Sequence, residues 1–503
     1  MGRQLHITVR FLTGRYHGEE WPPSPARLFQ ALVAGAKTGC RVLDWPSAET
    51  ALKWLERLGE SPEIVTPETA SGFSYKVFAP NNDSDSSKVV THVVNGIPLP
   101  EAMRREAMLT QKLFRPRFLS NEEAAIHYLW PLPEPLSQAD REYAQQVCTL
   151  ARNLLTLGWG IDVVVGDGEI VAGEAMLPPG QHYVPTSDSM ATVPLKTPSP
   201  GFLQDLARAY SAFQRRMTGE AVDTDTRPKA YRPVPYRMVG DTPSRLHVAF
   251  DLRDGEGERK SFRWEDSMLV AAWLRHAAKQ RFGIEGWKEK DINAYICGHA
   301  EKGNENQRLS YVPLPSIGHE HADGRHRRAM IVLPTGNGDG IDVAEVLALL
   351  YRMAGDALES TDGKTEAWLG QGESDGVLAR YVATSREWLS VTPMVLHGHD
   401  HVRGKLRTPK GIDRLSKTEK LILQAFAKSG YDSLSIEELS YQQAPYWRGA
   451  GAARRASVPK HLAQWPRYHI RVVFRNEVKG PVLAGIGRHC GLGIFAAPWR
   501  EST

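Results

Sequence analysis

The sequence predicts an α+β fold in which short strands alternate with amphipathic helices. Two observations in the second half of the chain carry this prediction. Residues 246–252 and 468–474 alternate apolar with polar side chains, which is typical of a strand with one buried face. Between them, residues 268–282 and 343–354 have helical patterns, and each pattern is followed by a glycine that favours termination.

The first half of the chain contains the same kinds of element. Residues 5–12 have the pattern of a strand. Ser24 followed by Pro25 predicts the start of a helix, because serine caps a helix N-terminus and proline suits its first turn. A second helical pattern covers residues 138–157, whereas residues 80–125 form an irregular excursion that is polar and then basic.

Two proline clusters punctuate the middle of the chain, and only residues 202–217 between them could form a helix. A chain of 503 residues is long for one hydrophobic core, so we expect at least two domains. Proline resists both helix interiors and central strands, and we therefore place the boundary near residue 240, between domains 1–240 and 241–503. The clusters are Pro185, Pro194, Pro198 and Pro200, followed by Pro228, Pro233, Pro235 and Pro243.

A second round of elements follows the first beyond residue 240. Residues 388–396 resemble a strand, and Ser416 with Glu419 forms a capping box that predicts a helix ending at Gly430. The order strand, helix, strand, helix, strand thus occurs twice. This repetition predicts tandem ferredoxin-like (RRM-like) domains.

Composition indicates a soluble globular protein. Hydrophobic residues make up 41% of the chain and charged residues 24%, no apolar run approaches the length of a membrane span, and residues 1–6 lack a signal-peptide pattern. Cys40, Cys148, Cys297 and Cys490 stand far apart, which argues against a disulfide framework or a thiolate zinc site. We expect a cytoplasmic protein without a membrane partner, and no motif calls for a cofactor.

Positive charge gathers near the C-terminus, just before a glycine-rich segment. Residues 445–475 carry seven basic side chains and no acidic one, although the whole chain nets only +4. Residues 480–495 then include five glycines, whose backbone could approach a ligand closely. A basic strand that leads into such a turn suits a phosphate chain, so a nucleic acid is the expected partner.

Several motifs occur in a fixed order over nearly the whole chain. They are Arg15-Tyr16-His17 followed by residues 20–33, Gly298-His299, and residues 311–315, 318–324, 390–396 and 485–495. In this order they resemble one CRISPR-associated family, the Cas-five/Cas-six fusion of subtype I-G (formerly I-U) Cascade surveillance complexes.

The resemblance implies a division of labour between an N-terminal handle-binding half and a C-terminal repeat-processing half. The first half would bind the 5′ handle of the CRISPR RNA and cap the backbone of the complex. The second would cut precursor RNA within each repeat and could keep the 3′ repeat hairpin. Relatives of that half cut without metal, using the RNA's own 2′-hydroxyl to leave a 2′,3′-cyclic phosphate. The implied partners are CRISPR RNA, the backbone and large subunits, and indirectly target DNA.

Such a cleavage needs a base, an acid and cations, and histidine suits either proton role because its pKa is near neutrality. His299, His319 and His321 lie in the matching segments and are the first catalytic candidates. A turn histidine can also serve only to bond backbone, so both interpretations of the turn stay open. His276 is the competitor, but it shares a stripe with apolar residues, which more often indicates a packed side chain.

The RNA-binding candidates are basic residues of the matching motifs and of the basic stretches, together with residues of the glycine-rich segment. Residues 104–118 interleave cations with aromatic residues, a pattern that suits stacked bases but also suits an exposed helix and loop. His489 could contact phosphate or act as the acid, although a loop residue that positions backbone explains it as well. The full set is Arg15, Arg27, Arg104, Arg105, Arg115, Arg403, Arg407, Arg454, Arg455, Gly485, Gly487, Arg488, His489, Gly491 and Gly493.

Two alternatives to a metal-free ribonuclease remain. One is a structural RNA-binding subunit of the same complex without catalysis. The other is a metal-dependent phosphoesterase, suggested by the histidine clusters at residues 318–321 and 397–401. The second alternative is weak, because the chain lacks the Asp-x-His and Gly-Asn-His motifs of that class.

Overall fold

The structure, a computed structural model, divides the chain into two compact units. The N-terminal unit comprises Met1–Thr186 and Pro194–Val239, and the C-terminal unit comprises Ser187–Val193 and Gly240–Thr503. The described residues are 3–18, 20–38, 42, 44–73, 75–80, 96, 98, 109–114, 116–120, 124–172, 179–187, 190–191, 193–217, 228–241, 244–299, 307–335, 341–360, 362–372, 375–398 and 416–498.

The described part of the N-terminal unit contains strands and four helices. The strands are β1 (Arg3–Phe11), β2 (Arg15–Tyr16), β3 (Glu63–Thr66), β4 (Thr69–Ser71), β5 (Tyr75–Pro80), β6 (Leu109–Phe114), β7 (Arg117–Leu119), β8 (Ala125–Pro131), β9 (Val164–Ala172), β10 (Gln181–Pro185), β12 (Val193–Pro198) and β13 (Tyr231–Met238). The helices are α1 (Pro25–Ala36), α2 (Trp45–Leu55), α3 (Gln138–Ala151) and α4 (Phe202–Met217).

The main sheet of this unit has the order β12-β13-β10-β3-β8-β1-β9. Its middle is a β-α-β-β-α-β arrangement. The four strands lie in the order β3-β8-β1-β9, which is second, third, first, fourth in chain order, and they pair antiparallel. Strands β2, β7 and β4 form a separate small sheet, and β5 pairs with β6. Strands β6 and β7 thus lie in the segment expected to be irregular.

The C-terminal unit contains the remaining elements. Its strands are β11 (Met190–Ala191), β14 (Ser244–Arg245), β15 (His247–Arg253), β16 (Ser310–Pro315), β17 (His326–Val332), β18 (Ala357–Glu359), β19 (Thr365–Gln371), β20 (Thr384–Ser390), β21 (Met394–Val395), β22 (Ile436–Gln442), β23 (Arg467–Lys479) and β24 (Phe495–Ala496). Its helices are α5 (Ser267–Ile284), α6 (Glu289–Asp291), α7 (Val343–Arg352), α8 (Leu378–Tyr381) and α9 (Lys417–Ala427).

The first sheet of the C-terminal unit has the order β16-β17-β15-β19-β18 and is antiparallel throughout. Helix α5 follows β15 and α7 follows β17. When β18, which lies at the edge, is set aside, the strands β16-β17-β15-β19 repeat the second, third, first, fourth order. Helix α5 packs through residues such as Val270, Leu274 and Phe282 against Phe250 of β15. Burial of such side chains stabilises the layer by about 1.5–3 kcal/mol each.

The second sheet repeats the order again, as β22-β23-β20-β24, with β21 also paired to β23. Helix α9 follows β20 and packs through Ile422 and Phe426 on Phe474. No helix is present between β23 and β24, where all residues are described. The glycine-rich segment, defined as residues 480–495, occupies that place in the connectivity.

The local signals for helix starts are confirmed. The Ser24 side chain accepts from the backbone N–H of Arg27 at 3.4 Å, and Pro25 is the first helical residue. Ser416 and Glu419 form the capping box reciprocally at the start of α9. These signals worked because a cap depends only on neighbours within one turn.

Four further expectations were wrong. Helix α5 does not stop before Gly283 but continues through it to Ile284. The second predicted helix ends at Ala151 rather than at residue 157, because residues 155–157 bond back to residues 162–164. The strand expected at 388–396 is divided into β20 and β21 around Pro393. The second proline cluster does not exclude a strand: β13 contains Pro233 and Pro235 between two neighbours, and Pro235 uses its carbonyl to accept from Thr186.

The glycines of the glycine-rich segment are required by the protein's own backbone. A Cβ at Gly493, where φ is +62°, would lie 1.8 Å from the carbonyl oxygen of Ala484. A Cβ at Gly491 would lie 2.8 Å from the carbonyl oxygen of Ser267. The segment is almost entirely buried, so these glycines serve internal packing.

Replacing Gly493 by alanine should therefore destabilise the chain strongly. The matched control is Gly286→Ala, where φ is +83° but no heavy atom lies within 4 Å of the new Cβ. The control should cost about 1 kcal/mol for the left-handed backbone, and Gly493→Ala roughly 3 kcal/mol because the clash adds to it. Denaturant unfolding of both variants measures the difference, and equal costs would contradict the packing role.

Candidate functional site

The histidine turn, defined as residues 318–324, connects β16 to β17. Gly318 and Gly324 have φ of +73° and +71°, and the backbone closes through a bond from Gly324 N–H to the Ser316 carbonyl at 3.0 Å. A Cβ at Gly324 would lie 2.0 Å from the carbonyl oxygen of Gly449. The turn therefore packs directly on the basic segment, residues 445–475.

His319 is held in one orientation while its side chain stays exposed. Its Nε2 and the Ser316 hydroxyl are 3.0 Å apart, and its carbonyl accepts from Ala322 N–H at 3.1 Å. An oriented imidazole at the surface is what a proton-transfer group requires. His321 is also exposed, and its contact with Glu320 at 3.1 Å is a surface pair of little strength.

Cations surround the histidine turn. Arg380 donates to the Gly318 carbonyl and lies 5.9 Å from the Trp447 ring centroid. Arg448 directly follows Trp447; it is exposed, and no carboxylate among the described residues pairs with it. A free guanidinium on the segment that packs against the histidine turn can neutralise charge that develops on a phosphate.

Some cations of the basic segment are paired with carboxylates and others are not. Arg454 is exposed and, like Arg448, has no carboxylate partner in the described chain. Arg455 pairs with Glu265 at 2.9 Å, and Arg471 contacts both Glu387 and Glu438. The sequence count of seven cations therefore overstates the charge that is available to a ligand.

His489 lies inside the C-terminal unit rather than at its surface. Its Nδ1 is 2.9 Å from the Ser310 hydroxyl, and Nε2 has no hydrogen-bond partner among the described residues. Burial, with a further effect of Arg488, Arg308 and Arg245, lowers the pKa of His489 well below its ordinary value. This shift favours the neutral imidazole and disfavours His489 as the proton donor to a leaving group.

His299 and His276 are both exposed. His299 follows Gly298, whose carbonyl accepts from Arg308 at 3.0 Å. His276 is exposed on α5, so the expectation that it packs with the apolar stripe was wrong. Burial raises the pKa of the Cys490 thiol to about 11 against the opposing charges of Arg308 and Arg275, which places both cations near that segment.

Two of the catalytic candidates share one element. His319 and His321 lie on the histidine turn beside the basic segment, whereas His276 lies on α5 and His299 lies in the connection that leads to β16. No hydrogen bond between described residues joins any of the four to another.

The predicted RNA-binding arginines outside the basic segment differ in their surroundings. Arg15 is exposed and lies 5.1 Å from the Phe118 ring centroid. Arg27 pairs with Glu20 at 3.2 Å, which compensates its charge. Arg488 is buried and donates to the Gly485 carbonyl at 2.9 Å. The candidates Arg104, Arg105, Arg115, Arg403 and Arg407 lie outside the described residues.

Sequence reasoning missed the partners that orient the histidines. Ser316 precedes its histidine by three residues, but a serine in a turn carries no distinctive signal. Ser310 contacts His489 across 179 positions of the chain, which only the folded sheet reveals. Gly487 was expected to admit a ligand, yet a Cβ there would meet the Leu492 side chain at 2.9 Å.

Other features of the described residues concern metals and membranes. No group of three or more histidine, cysteine, aspartate or glutamate side chains among them could hold a metal ion. His397 contacts Gln424 at 3.0 Å, while residues 399–401 of the same cluster lie outside the described chain. Cys148, Cys297 and Cys490 are free thiols. None of the described helices is both long and apolar enough to cross a membrane.

Comparison with known proteins identifies a family. The model of "CRISPR-associated protein, GSU0054 family" matches residues 13–498. No curated protein matches the sequence. Among solved structures, a Cas6 product complex is 12% identical over 50% of this chain and 98% of that chain, with a TM-score of 0.26. TM-scores of this size do not by themselves establish a common fold.

Two further structures are similar at the same level. A CRISPR-associated protein Cas6 is 8% identical, covers 50% of this chain and 97% of that chain, and has a TM-score of 0.25. A CRISPR protein from Archaeoglobus fulgidus is 10% identical, covers 48% and 89%, and has a TM-score of 0.20.

His326, two residues after the histidine turn, anchors the start of α5. Its Nε2 lies 2.9 Å from the Ser267 hydroxyl and 3.3 Å from the Trp264 carbonyl oxygen. The side chain is fully buried, and burial lowers its pKa to about 4. The folded state therefore binds a proton at His326 far more weakly than the unfolded state does.

Acidification should destabilise the protein through His326. Stability from this group is fully present above the unfolded pKa of about 6.5 and is lost as the pH falls toward about 4. The loss amounts to roughly 3 kcal/mol at most. Unfolding measured from pH 7 to pH 4 should show a shallower decline for His326→Gln, whereas exposed His321→Gln should retain the wild-type slope. Equal slopes for both variants would contradict the assignment.

Proposed function

We propose an RNA-processing function for this chain, which belongs to the GSU0054 family of CRISPR-associated proteins. It is an endoribonuclease that cuts precursor CRISPR RNA within repeats, without a metal ion, and binds the product. The observation that carries this proposal is the exposed His319 ring, which Ser316 orients on a turn packed against Gly449 beside the unpaired Arg448. Proton transfer and charge stabilisation are both available there.

The reaction that these groups support is an internal transesterification. The RNA 2′-oxygen attacks the adjacent phosphorus, the bond to the 5′-oxygen breaks, and the products are a 2′,3′-cyclic phosphate and a 5′-hydroxyl. His319 exchanges the proton with the 2′- or the 5′-oxygen, and Arg448 stabilises the charge on phosphorus. His321, His299 and His276 are the remaining candidates for the second proton transfer.

The architecture and assembly belong to the same proposal. The three sheets that share one strand order are read as ferredoxin-like domains, two of them in tandem in the C-terminal unit. The chain is then a Cas-five/Cas-six fusion of subtype I-G Cascade. Its N-terminal unit holds the 5′ handle, and the backbone and large subunits are partners in the cytoplasm.

A non-catalytic RNA-binding subunit is the second candidate function. It is favoured by one observation, namely that no hydrogen bond joins the four candidate histidines in the described chain. A metal-dependent phosphoesterase is the third, and it differs from the others because a chelator would abolish its activity.

Cleavage of an end-labelled repeat RNA in excess EDTA tests the function directly. We expect the cut to persist in EDTA and to vanish when the nucleotide at the cut site carries a 2′-deoxy substitution. His319→Ala should lower the single-turnover rate about 100-fold or more. His182→Ala, which removes a surface pair with Glu63, is the control. Binding without cutting would support the non-catalytic subunit, and loss of activity in EDTA alone would support the phosphoesterase.

The unpaired arginines should contribute to RNA affinity through phosphate contacts. We expect Arg448→Ala and Arg454→Ala each to weaken binding and to reduce the slope of log affinity against log salt by about 0.7, the single-strand value per contact. Arg352→Ala, which removes a cation already paired with Glu285, should leave the slope unchanged. Filter binding from low to high salt measures these slopes. A slope that is the same in all three variants would count against RNA contact by the basic segment.

A further inference from the structure

The N-terminal unit contains a hydrogen-bonded chain of three side chains that the processing function does not use. His17 follows β2, and its Nδ1 lies 2.6 Å from an Asp162 carboxylate oxygen. The second oxygen of Asp162 accepts from the backbone N–H of His17 at 3.2 Å and from that of Trp159 at 2.9 Å. Asp162 is fully buried, so this carboxylate is fixed on the imidazole.

Tyr75 completes the chain at the surface. Its hydroxyl is within hydrogen-bond distance of His17 Nε2, and the two rings meet edge to face. Because a carboxylate only accepts, His17 donates from Nδ1 to Asp162, and its Nε2 accepts from the Tyr75 hydroxyl. Asp162 and His17 are buried, whereas Tyr75 is 39% exposed. Tyr75 is therefore the most exposed member of this hydrogen-bonded series, and its hydroxyl is the atom that meets His17.

Glycines lie next to the three hydrogen-bonded side chains. Gly158 has φ of +113°, and a Cβ there would lie 2.6 Å from Asp162 Oδ2. A Cβ at Gly18 would collide with the Tyr16 ring, which is buried next to His17 in the sequence. The Asp162 carboxylate thus occupies its position because Gly158 carries no side chain.

The surface around Tyr75 suits a single-stranded nucleic acid. In the small sheet of β2, β7 and β4, Arg15 lies over the ring of Phe118, and Arg117 lies 5.9 Å from the Trp21 ring centroid. Gly72 donates to Pro116 at the end of this sheet, three residues before Tyr75. Phe73 beside it is 94% exposed. Exposed aromatic faces and cations on one sheet bind unpaired bases and phosphates.

We propose that Tyr75, His17 and Asp162 form a second RNA-cleaving centre, in the N-terminal unit, which acts on the single-stranded part of the CRISPR precursor. This inference rests on the proposed function for the identity of its substrate. Tyr75 is the catalytic residue, His17 relays its proton, and Asp162 is a positioning residue.

The proton path accounts for every atom of the reaction. The Tyr75 oxygen takes the proton of the RNA 2′-hydroxyl while its own proton passes to His17 Nε2, and Asp162 stabilises the resulting imidazolium. The 2′-oxygen attacks phosphorus, and the bond to the 5′-oxygen breaks. The 5′-oxygen then recovers one proton from the relay, so the products are a 2′,3′-cyclic phosphate and a 5′-hydroxyl with no co-reactant.

The test compares two tyrosine variants of the full chain on end-labelled precursor RNA in EDTA. Tyr75→Phe removes only the hydroxyl, and Tyr210→Phe makes the same change on α4, where that side chain is 62% exposed. We expect Tyr75→Phe to slow one cut at least about 100-fold while RNA affinity stays within about twofold. Tyr210→Phe should cut at the wild-type rate. Asp162→Asn, checked for folding by thermal unfolding, should slow the same cut without changing affinity.

The outcomes separate this inference from the processing function. Unchanged rates in Tyr75→Phe, or a loss that merely follows RNA affinity, would overturn the second centre. If the histidine variants of the C-terminal unit abolish every cut and Tyr75→Phe abolishes none, the processing function stands and this inference falls. A cut that survives the histidine variants and disappears in Tyr75→Phe supports it. A wild-type chain that binds RNA without cutting would overturn both.

Discussion

The C-terminal unit depends on close backbone approach along the glycine-rich segment. The N–H of Ile486 bonds to the Val395 carbonyl of the second sheet at 3.1 Å, while Cys490 forms a parallel bridge with Tyr311 of the first sheet. A Cβ at Gly485 would lie 3.0 Å from that same Val395 carbonyl oxygen. One stretch of chain therefore joins both sheets, and it can do so only where side chains are missing. The position of β16, and with it the histidine turn, follows from this contact.

Much of the fold follows from local chemistry, and the sequence predicts that part well. The cap at Ser24, the capping box at Ser416 and the alternation in β23 each depend on residues a few positions apart. The failures have a different cause. Pro235 lies within a strand because the bond to its neighbour uses the carbonyl, which proline retains. The sequence alone cannot show which backbone groups a neighbour will need.

The candidate sites follow the same rule. The histidines of the turn are visible in the sequence, but Ser316 as the partner of His319 is not. Asp162 and His17 are 145 positions apart, and nothing in either neighbourhood indicates the other. Charge is also misread from composition, because Arg471 is compensated by two carboxylates that lie on adjacent strands. Residue types can be read along the chain, whereas their partners are assigned by the sheet register.

The pairing of β11 with β14 limits where the gene for this chain could be divided into two. Met190 and Ala191 come from the first half of the sequence but pair with Ser244 and Arg245 in the C-terminal unit. Arg245 is buried and donates to the Leu333 carbonyl, so this small ladder lies against the first sheet. A gene split at residue 240 would leave β14 without its neighbour, and a split before residue 187 would carry β12, α4 and β13 away with the wrong product. Division of the gene into two therefore requires rebuilding a strand as well as a new start codon.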